Sequence, residues 1–304
     1  MARFDPTKPF TRAQARSAGI TDHQLRGSRY RVLLHGVYVA SAVPDTAHLR
    51  AAAALLVHPP GAVASHQTAA RVHGAPVPAH QLEHVTVANA DDRRQRRGLK
   101  CHVAAIAAAD VQVVRGLRIS APHRMFVELA ASLSLVDLVV VGDWLVGPKQ
   151  KLTTPENLVE YCGRSKEAHA GRARTAASYV SERVDSPMET RLRMLLVLAG
   201  LPEPEVNRVV RDDHGTVVLR LDLSYPGVRL GVEYDGRQHV ERIEQWERDV
   251  ERRDDLEAWH LLTVTSKGIY REPEKTVLRV WRALEKRGYR PLPPMTDGWR
   301  AHFR

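Results

Sequence analysis

Two acidic residues, Asp222 and Glu233, lie in neighbouring strand-like runs at 216–223 and 228–235, separated by the turn signal Pro226-Gly227. Placing Pro226 opposite Arg229 pairs Tyr225 with Leu230, Leu223 with Val232 and Asp222 with Glu233. One face then reads Leu221, Leu223, Tyr225, Leu230, Val232 and Tyr234, while the other holds Arg220, Asp222, Glu233 and Asp235. Two carboxylates directly across a strand pair repel each other unless a proton or a cation sits between them. A hard divalent ion, Mg²⁺ or Mn²⁺, is the simplest remedy, because such ions take one or two carboxylates and complete their shell with water and phosphate oxygens. The chemistry expected is metal-assisted cleavage of a phosphodiester. Asp235 falls opposite Arg220 in this register, so an ion pair competes with any catalytic role for it.

The elements that must position this pair are legible around it. Ser186-Pro187-Met188-Glu189 opens a helix with Ser as N-cap, Pro at the first position and Glu at the third, and Leu192, Leu195, Leu196 and Ala199 give its buried face before Gly200. Capping alone accounts for a Glu at 189. Strands are expected at 206–211, 216–223, 228–235 and 261–265, with helices at 242–259 and 273–287. The order αβββαβα implies a mixed sheet flanked by helices.

The runs Arg220-Leu221-Asp222-Leu223, Leu230-Gly231-Val232-Glu233-Tyr234-Asp235-Gly236-Arg237-Gln238-His239 and Glu247-Arg248-Asp249-Val250-Glu251-Arg252-Arg253-Asp254 resemble a domain family related to very-short-patch-repair endonucleases. That family belongs to the restriction-endonuclease-like PD-(D/E)XK superfamily, and the resemblance covers about 100 residues, from Asp185 to Arg287. It implies that Asp222 is the strand Asp, Glu233 the second metal carboxylate and Glu189 the first-helix acid. His239 falls where the repair endonucleases place a base or water-activating His. The third motif position, normally Lys, is Asp235, so the charge that orients water and stabilises the transition state is missing. Gln238 or Arg237 could substitute. The helix face Asp249/Arg252/Arg253 either supports the site or forms an exposed i,i+3 ion pair.

At the other end, Thr11-Arg12-Ala13-Gln14 and Thr21-Asp22-His23-Gln24 both have capping-box form, with Gly19 between them. The run Tyr30–Val39 is β-branched and aromatic around Gly36, as a small hairpin would be. Helix, turn, helix, wing is a DNA-reading order. It would place His23, Gln24 and Arg26 near bases and Arg29 and Arg31 near the backbone, although helical hairpins followed by strands occur in many folds. The run from Phe10-Thr11-Arg12-Ala13-Gln14-Ala15 through Gly36-Val37-Tyr38-Val39 resembles the winged-helix domain of abortive-infection-type antitoxins, and more loosely so through Ala64-Ser65-His66-Gln67-Thr68-Ala69-Ala70. This implies DNA binding without naming the sequence read.

Charge is unevenly spread over the 304 residues. The net +10 resolves into 14 Lys/Arg against 6 Asp/Glu over residues 1–100, 10 against 8 over 101–184, and 21 against 21 over 185–304. A basic first third suits phosphate contact. With 37 Arg to 8 Lys, a compositional bias of the coding sequence would also raise the charge. The densest basic run, Arg93-Arg94-Gln95-Arg96-Arg97, is expected in a hairpin loop or surface arm between strands at 84–87 and 102–105. It is either a solvated face or, if it shares a side with the wing, part of one phosphate-tracking surface.

A content of 43% hydrophobic and 26% charged residues excludes a disordered tail protein, and no period indicates collagen, a coiled coil or a repeat array. The apolar stretch 125–146 is interrupted by Glu128, Asp137 and Asp143, so it reads as a core helix and no membrane span is expected. The start lacks a secretory pattern and only Cys101 and Cys162 are present, which points to the cytoplasm. No Cys/His group of zinc spacing and no phosphate-binding glycine loop occurs, so neither zinc nor nucleotide hydrolysis is indicated.

The expected class is α/β. A winged helix-turn-helix at 1–45 and an antitoxin-like α+β region at 46–147 precede an exposed helical linker at 148–184. A restriction-endonuclease-like domain at 185–290 and a tail at 291–304 follow. The function expected is a metal-dependent DNA endonuclease, nicking or cutting both strands, targeted by the N-terminal region. The alternative is a non-enzymatic DNA-binding regulator of antitoxin type with a degenerate nuclease domain and a toxin or repair protein as partner.

Overall fold

Capping chemistry sets the first helices. The computed structural model describes residues 4–211, 214–235 and 259–303. The chain divides into two compact units, Met1–Leu133 with Glu156–Ala177 and Ser134–Pro155 with Ser178–Arg304, and both mix helices with sheet, so the protein is α/β. In the first unit Thr11 and Thr21 accept from the backbone N–H three residues on, and the amide oxygens of Gln14 and Gln24 accept from the Thr N–H groups. These boxes start α1 (Arg12–Ser17) and α2 (Asp22–Arg26). Strands β1 (Phe10–Thr11), β2 (Tyr30–Leu34) and β3 (Val37–Ala40) form an antiparallel sheet in the order β1-β3-β2.

Leu33, Leu34, Val37 and Val39 pack with Leu49, Ala53 and Ala54 of α3 (Ala47–Leu56) and with Val85, Val87 and Leu99. One apolar cluster therefore runs across position 45. A five-stranded sheet follows, made of β4 (Val63–Ala64), β5 (Glu83–Val87), β6 (Leu99–Val103), β7 (Val111–Val114) and β8 (Leu117–Ser120) in the order β6-β5-β4-β8-β7. Helix α4 (His66–His73) precedes β5 and is ended by Gly74 in the left-handed region. Strands β5 and β6 are parallel, so the segment carrying Arg93–Arg97 is a crossover and not a hairpin.

The apolar stretch 125–146 is not one helix. Ser134 accepts from the N–H of Asp137 and starts a new one, which separates α5 (Pro122–Leu129) in the first unit from α6 (Leu135–Val146) in the second. The segment expected as an exposed linker returns to the first unit as α7 (Pro155–Arg164) and α8 (Ala170–Ala177), with Leu158, Cys162 and Ala173 fully buried. Its small apolar residues recur at helical spacing, which a reading by charge and glycine content passes over.

In the second unit, Ser186 accepts from the N–H of Glu189 and opens α9 (Pro187–Leu198), whose Leu192, Leu195 and Leu196 are fully buried. Each such side chain contributes about 1.5–3 kcal/mol. Strands β9 (Glu205–Arg211), β10 (Val217–Tyr225), β11 (Leu230–Asp235) and β12 (His260–Thr265) give a sheet in the order β12-β11-β10-β9, with β11 and β12 parallel and the other pairs antiparallel. Short α10 (Ser266–Tyr270) and amphipathic α11 (Pro273–Lys286) follow. Gly231 sits where β11 is crowded, since a Cβ there would lie 2.7 Å from a methyl of Leu261 and 2.8 Å from one of Leu221, which would have to shift. The expected helix at 242–259, with Asp249, Arg252 and Arg253, lies outside the described residues. Among the described residues no helix is long and apolar enough to cross a membrane.

Candidate functional site

The β-hairpin of the second unit has the expected register next to its turn. Leu223 pairs with Val232, Ser224 with Gly231 and Tyr225 with Leu230, and Asp222 and Glu233 are the next residues beyond the last of these pairs, near enough for their charges to interact. Leu221, Leu223, Leu230 and Val232 are fully buried, so the carboxylates occupy the opposite face. Asp222 Oδ2 accepts from the N–H of Tyr234 at 2.8 Å. Burial, reinforced by the charge of Asp222, pushes the Glu233 carboxyl up to about 7. Near neutral pH a proton therefore competes for this pair.

The other acids are placed differently. Glu189 Oε2 accepts from the N–H of Asp185 at 3.1 Å and from Asn207 Nδ2 at 2.9 Å, so the carboxylate is held at the helix start. Arg220 pairs with Asp185 at 3.8 Å, and the expected Arg220–Asp235 ion pair does not form. Asp235 Oδ1 is buried with no hydrogen-bond partner among the described residues. No three of Glu189, Asp222, Glu233 and Asp235 bring oxygens within 4.8 Å of one another. Gln238 and His239 lie outside the described residues.

In the first unit His23, Gln24, Arg26 and Arg29 are exposed on and after α2. The Gln24 amide oxygen serves the cap, which leaves its amino group as the free donor. Arg31 is engaged internally, donating to the Val43 carbonyl at 2.9 Å with Asp45 at 3.8 Å, so it is not free for a phosphate. Arg93, Arg94 and Arg97 are exposed, whereas Arg96 donates to the carbonyl of His35 at 2.9 Å in the turn of the β2–β3 hairpin. This bond ties the basic crossover to the hairpin turn. Arg93 to Arg97, Lys100 and Cys101 line a recess of about 460 Å³.

Sequence reading missed a third arrangement. His66, His84 and His102 bring one nitrogen each within 4.8 Å of one another. His84 Nδ1 lies 3.0 Å from His102 Nε2, and the rings of His66 and His102 stack at 3.8 Å. Burial, with help from neighbouring cations, holds the three down to about 2, 3 and 4 respectively, so all are neutral at pH 7. His66 has φ 50 at the start of α4, and its N–H donates to Glu128 Oε2 at 3.0 Å. Left-handed backbone at a non-glycine residue costs roughly 1–3 kcal/mol and persists only where the surroundings impose it. The positions lie 18 residues apart on three elements, so no local motif announces them.

No family model matches this chain. Over 116 residues it is 28% identical to uncharacterized proteins from two strains of Mycobacterium tuberculosis. The match spans 38% of this chain and 42% of each relative, well short of either full length.

Proposed function

We propose that this protein is a metal-dependent DNA endonuclease of the cytoplasm, in which the basic first unit holds duplex DNA and the second unit cleaves a phosphodiester. The observation that carries the reading is that Asp222 and Glu233, one step beyond the paired Leu223 and Val232 on adjacent strands of a mixed sheet, interact electrostatically. A mixed four-stranded sheet with α9 ahead of it is what the element order implied, and this supports the resemblance.

The donor set fits a hard dication. Burial and the charge of Asp222 make Glu233 resist ionisation, so added positive charge between the two would relieve it. Asp222 and Glu233 would hold Mg²⁺ or Mn²⁺, which when bound polarises a phosphate oxygen and lowers the pKa of water. Asp222 keeps one oxygen on the Tyr234 N–H, which fixes its orientation. Glu233 carries a proton near pH 7 that metal binding displaces. Gln238 or His239 would position the attacking water. Glu189 supports the helix start through Asp185 and Asn207.

For the first unit, the winged helix-turn-helix reading draws support from the two capped helices, the β1-β3-β2 sheet and the Arg96–His35 link. His23, Gln24 and Arg26 would meet bases, and Arg29, Arg93, Arg94 and Arg97 phosphates.

A second reading is a non-enzymatic DNA-binding regulator of antitoxin type, with a toxin or repair protein as partner. It is favoured by Asp235 standing where the superfamily has Lys and by the engagement of Glu189 away from the pair. Incubating the full chain with end-labelled duplex DNA, with and without Mn²⁺, separates the two. Strand scission that EDTA and Asp222→Ala both abolish supports the enzyme, and retention of the duplex without scission supports the regulator.

A further inference from the structure

The histidine group of the first unit shares no residue with the carboxylate pair. Strand β5 places His84 and Thr86 on one face, and the parallel register puts His102 of β6 beside Thr86 on that same face. Helix α4 contributes His66 from its first residue. The Ser65 N–H donates to the His84 carbonyl at 3.0 Å, and Thr86 Oγ1 donates to Ser65 Oγ at 2.8 Å. The His84 N–H donates to Thr68 Oγ1 at 2.7 Å. These bonds lock the helix start onto the strand and set the backbone from which His66 and His84 project.

Two features distinguish the group from a satisfied core. His84 is 3% exposed, yet its Nε2 is buried without a hydrogen-bond partner, a loss that a buried polar atom ordinarily avoids. His84 Nδ1 and His102 Nε2 face each other at 3.0 Å. Two imidazole nitrogens on one tetrahedral ion at 2.0–2.1 Å stand about 3.3 Å apart, so admitting the ion opens this contact slightly and turns the stacked rings of His66 and His102 until their in-plane lone pairs converge. His66 Nδ1 lies 3.0 Å from Ser65 Oγ and 3.8 Å from Glu128 Oε2, the oxygen partners that would keep the proton on Nδ1 and direct Nε2 toward a metal.

We propose that His66, His84 and His102 bind one transition-metal ion of borderline softness, with zinc(II) as the best fit and water as the fourth ligand. Neutral imidazoles suit zinc, cobalt, nickel and copper, whereas Mg²⁺ requires oxygen donors, so this site and the carboxylate pair select different ions. Glu128, whose Oε1 is paired with Arg124 at 2.9 Å, offers Oε2 as the second-sphere acceptor. The ion ties α4, β5 and β6 together at the base of the crossover that carries Arg93–Arg97.

The test uses the full chain, stripped with a chelator and titrated with Zn²⁺ and separately with Co²⁺. The expected results are one equivalent of Zn²⁺ bound and a visible Co²⁺ absorption band of four-coordinate type. Loss of an outer-sphere partner alone weakens metal sites about 10–100-fold, so removing a ligand by His102→Gln or His66→Gln should weaken Zn²⁺ binding at least about a hundredfold. Asp222→Asn should bind Zn²⁺ as the unaltered protein does, so failure here and failure of the endonuclease reading are told apart. His80→Gln, which alters the ring packed edge-on against His84, should also retain binding. If the histidine variants do not fold, the Co²⁺ spectrum of the unaltered protein decides. Absence of both the band and bound Zn²⁺, or undiminished one-equivalent binding by the folded histidine variants, would overturn the assignment.

Discussion

Arg96 donates to the main-chain carbonyl of His35 at 2.9 Å and so fastens the basic crossover between β5 and β6 to the turn of the β2–β3 hairpin. Its neighbours Arg93, Arg94 and Arg97 are exposed, Arg94 also donating to the carbonyls of Asp91 and Arg93, and on the proposed reading these three would meet phosphates.

Replacing Arg93, Arg94 and Arg97 together by Ala should weaken duplex binding and flatten its salt dependence, by about 0.9 in the logarithmic slope for each phosphate no longer neutralised. Sequence preference should stay as it is, because cations on phosphates position the duplex without specifying its bases. Fluorescence anisotropy over a salt series reads both quantities. An altered preference at unchanged slope would mean that the crossover reads bases.

Asp222→Asn relieves the repulsion of Glu233 and keeps the side-chain shape, so the metal-free variant should melt at the same temperature as the parent or higher. Mn²⁺ at ~100 times its dissociation constant should stabilise the parent by about 2.7 kcal/mol and the variant by nothing comparable. Differential scanning fluorimetry with and without Mn²⁺ measures this. Equal shifts in both proteins would place the ion elsewhere.

The pairing of Leu223 with Val232 and of Tyr225 with Leu230 was legible because apolar residues alternate along both strands, and a slip by one position would have exposed Leu223 and Val232 together. Both capping boxes and the Ser186 start were equally plain, since each is a local bond between residues three apart. The break at Ser134 was hidden because hydrophobicity continues across it, and only the cap shows that one helix ends before another begins. The parallel β5–β6 pairing and the meeting of His66, His84 and His102 depend on long-range packing that leaves no spacing signature.

With EDTA present, the stability of the first unit should fall as the solution is acidified below pH 6.5. His66, His84 and His102 are held to about 2, 3 and 4 in the folded state against a reference of 6.5. The unfolded chain therefore takes up protons first, so stability is fully present above 6.5 and is lost as pH falls toward the folded values. Each histidine steepens the fall by up to about 1.4 kcal/mol per pH unit. Urea unfolding between pH 7 and 5 measures the slope, which should be shallower in His102→Gln.

In the second unit Arg193 is fully buried and donates to Asp143 Oδ2 at 3.0 Å and to the Tyr179 carbonyl at 2.6 Å, while Asp143 also accepts from Thr190 and Ser181. Arg193→Met should cost about 3–5 kcal/mol, because it strands a buried carboxylate. Adding Asp143→Leu should restore part of that loss. Urea denaturation of the three proteins checks it, and a cost below about 1 kcal/mol for the single variant would show that the pair is not buried in solution.

The endonuclease reading stands on Asp222 and Glu233 acting together in metal-dependent scission of DNA. Supercoiled plasmid incubated with the full chain and Mn²⁺, resolved on an agarose gel, puts that to the proof. Time-dependent conversion to nicked or linear DNA is expected, stopping with EDTA and abolished in Asp222→Ala. Cleavage of equal rate by Asp222→Ala, or none by the unaltered protein with either Mn²⁺ or Mg²⁺ under conditions where it binds the plasmid, would refute the reading.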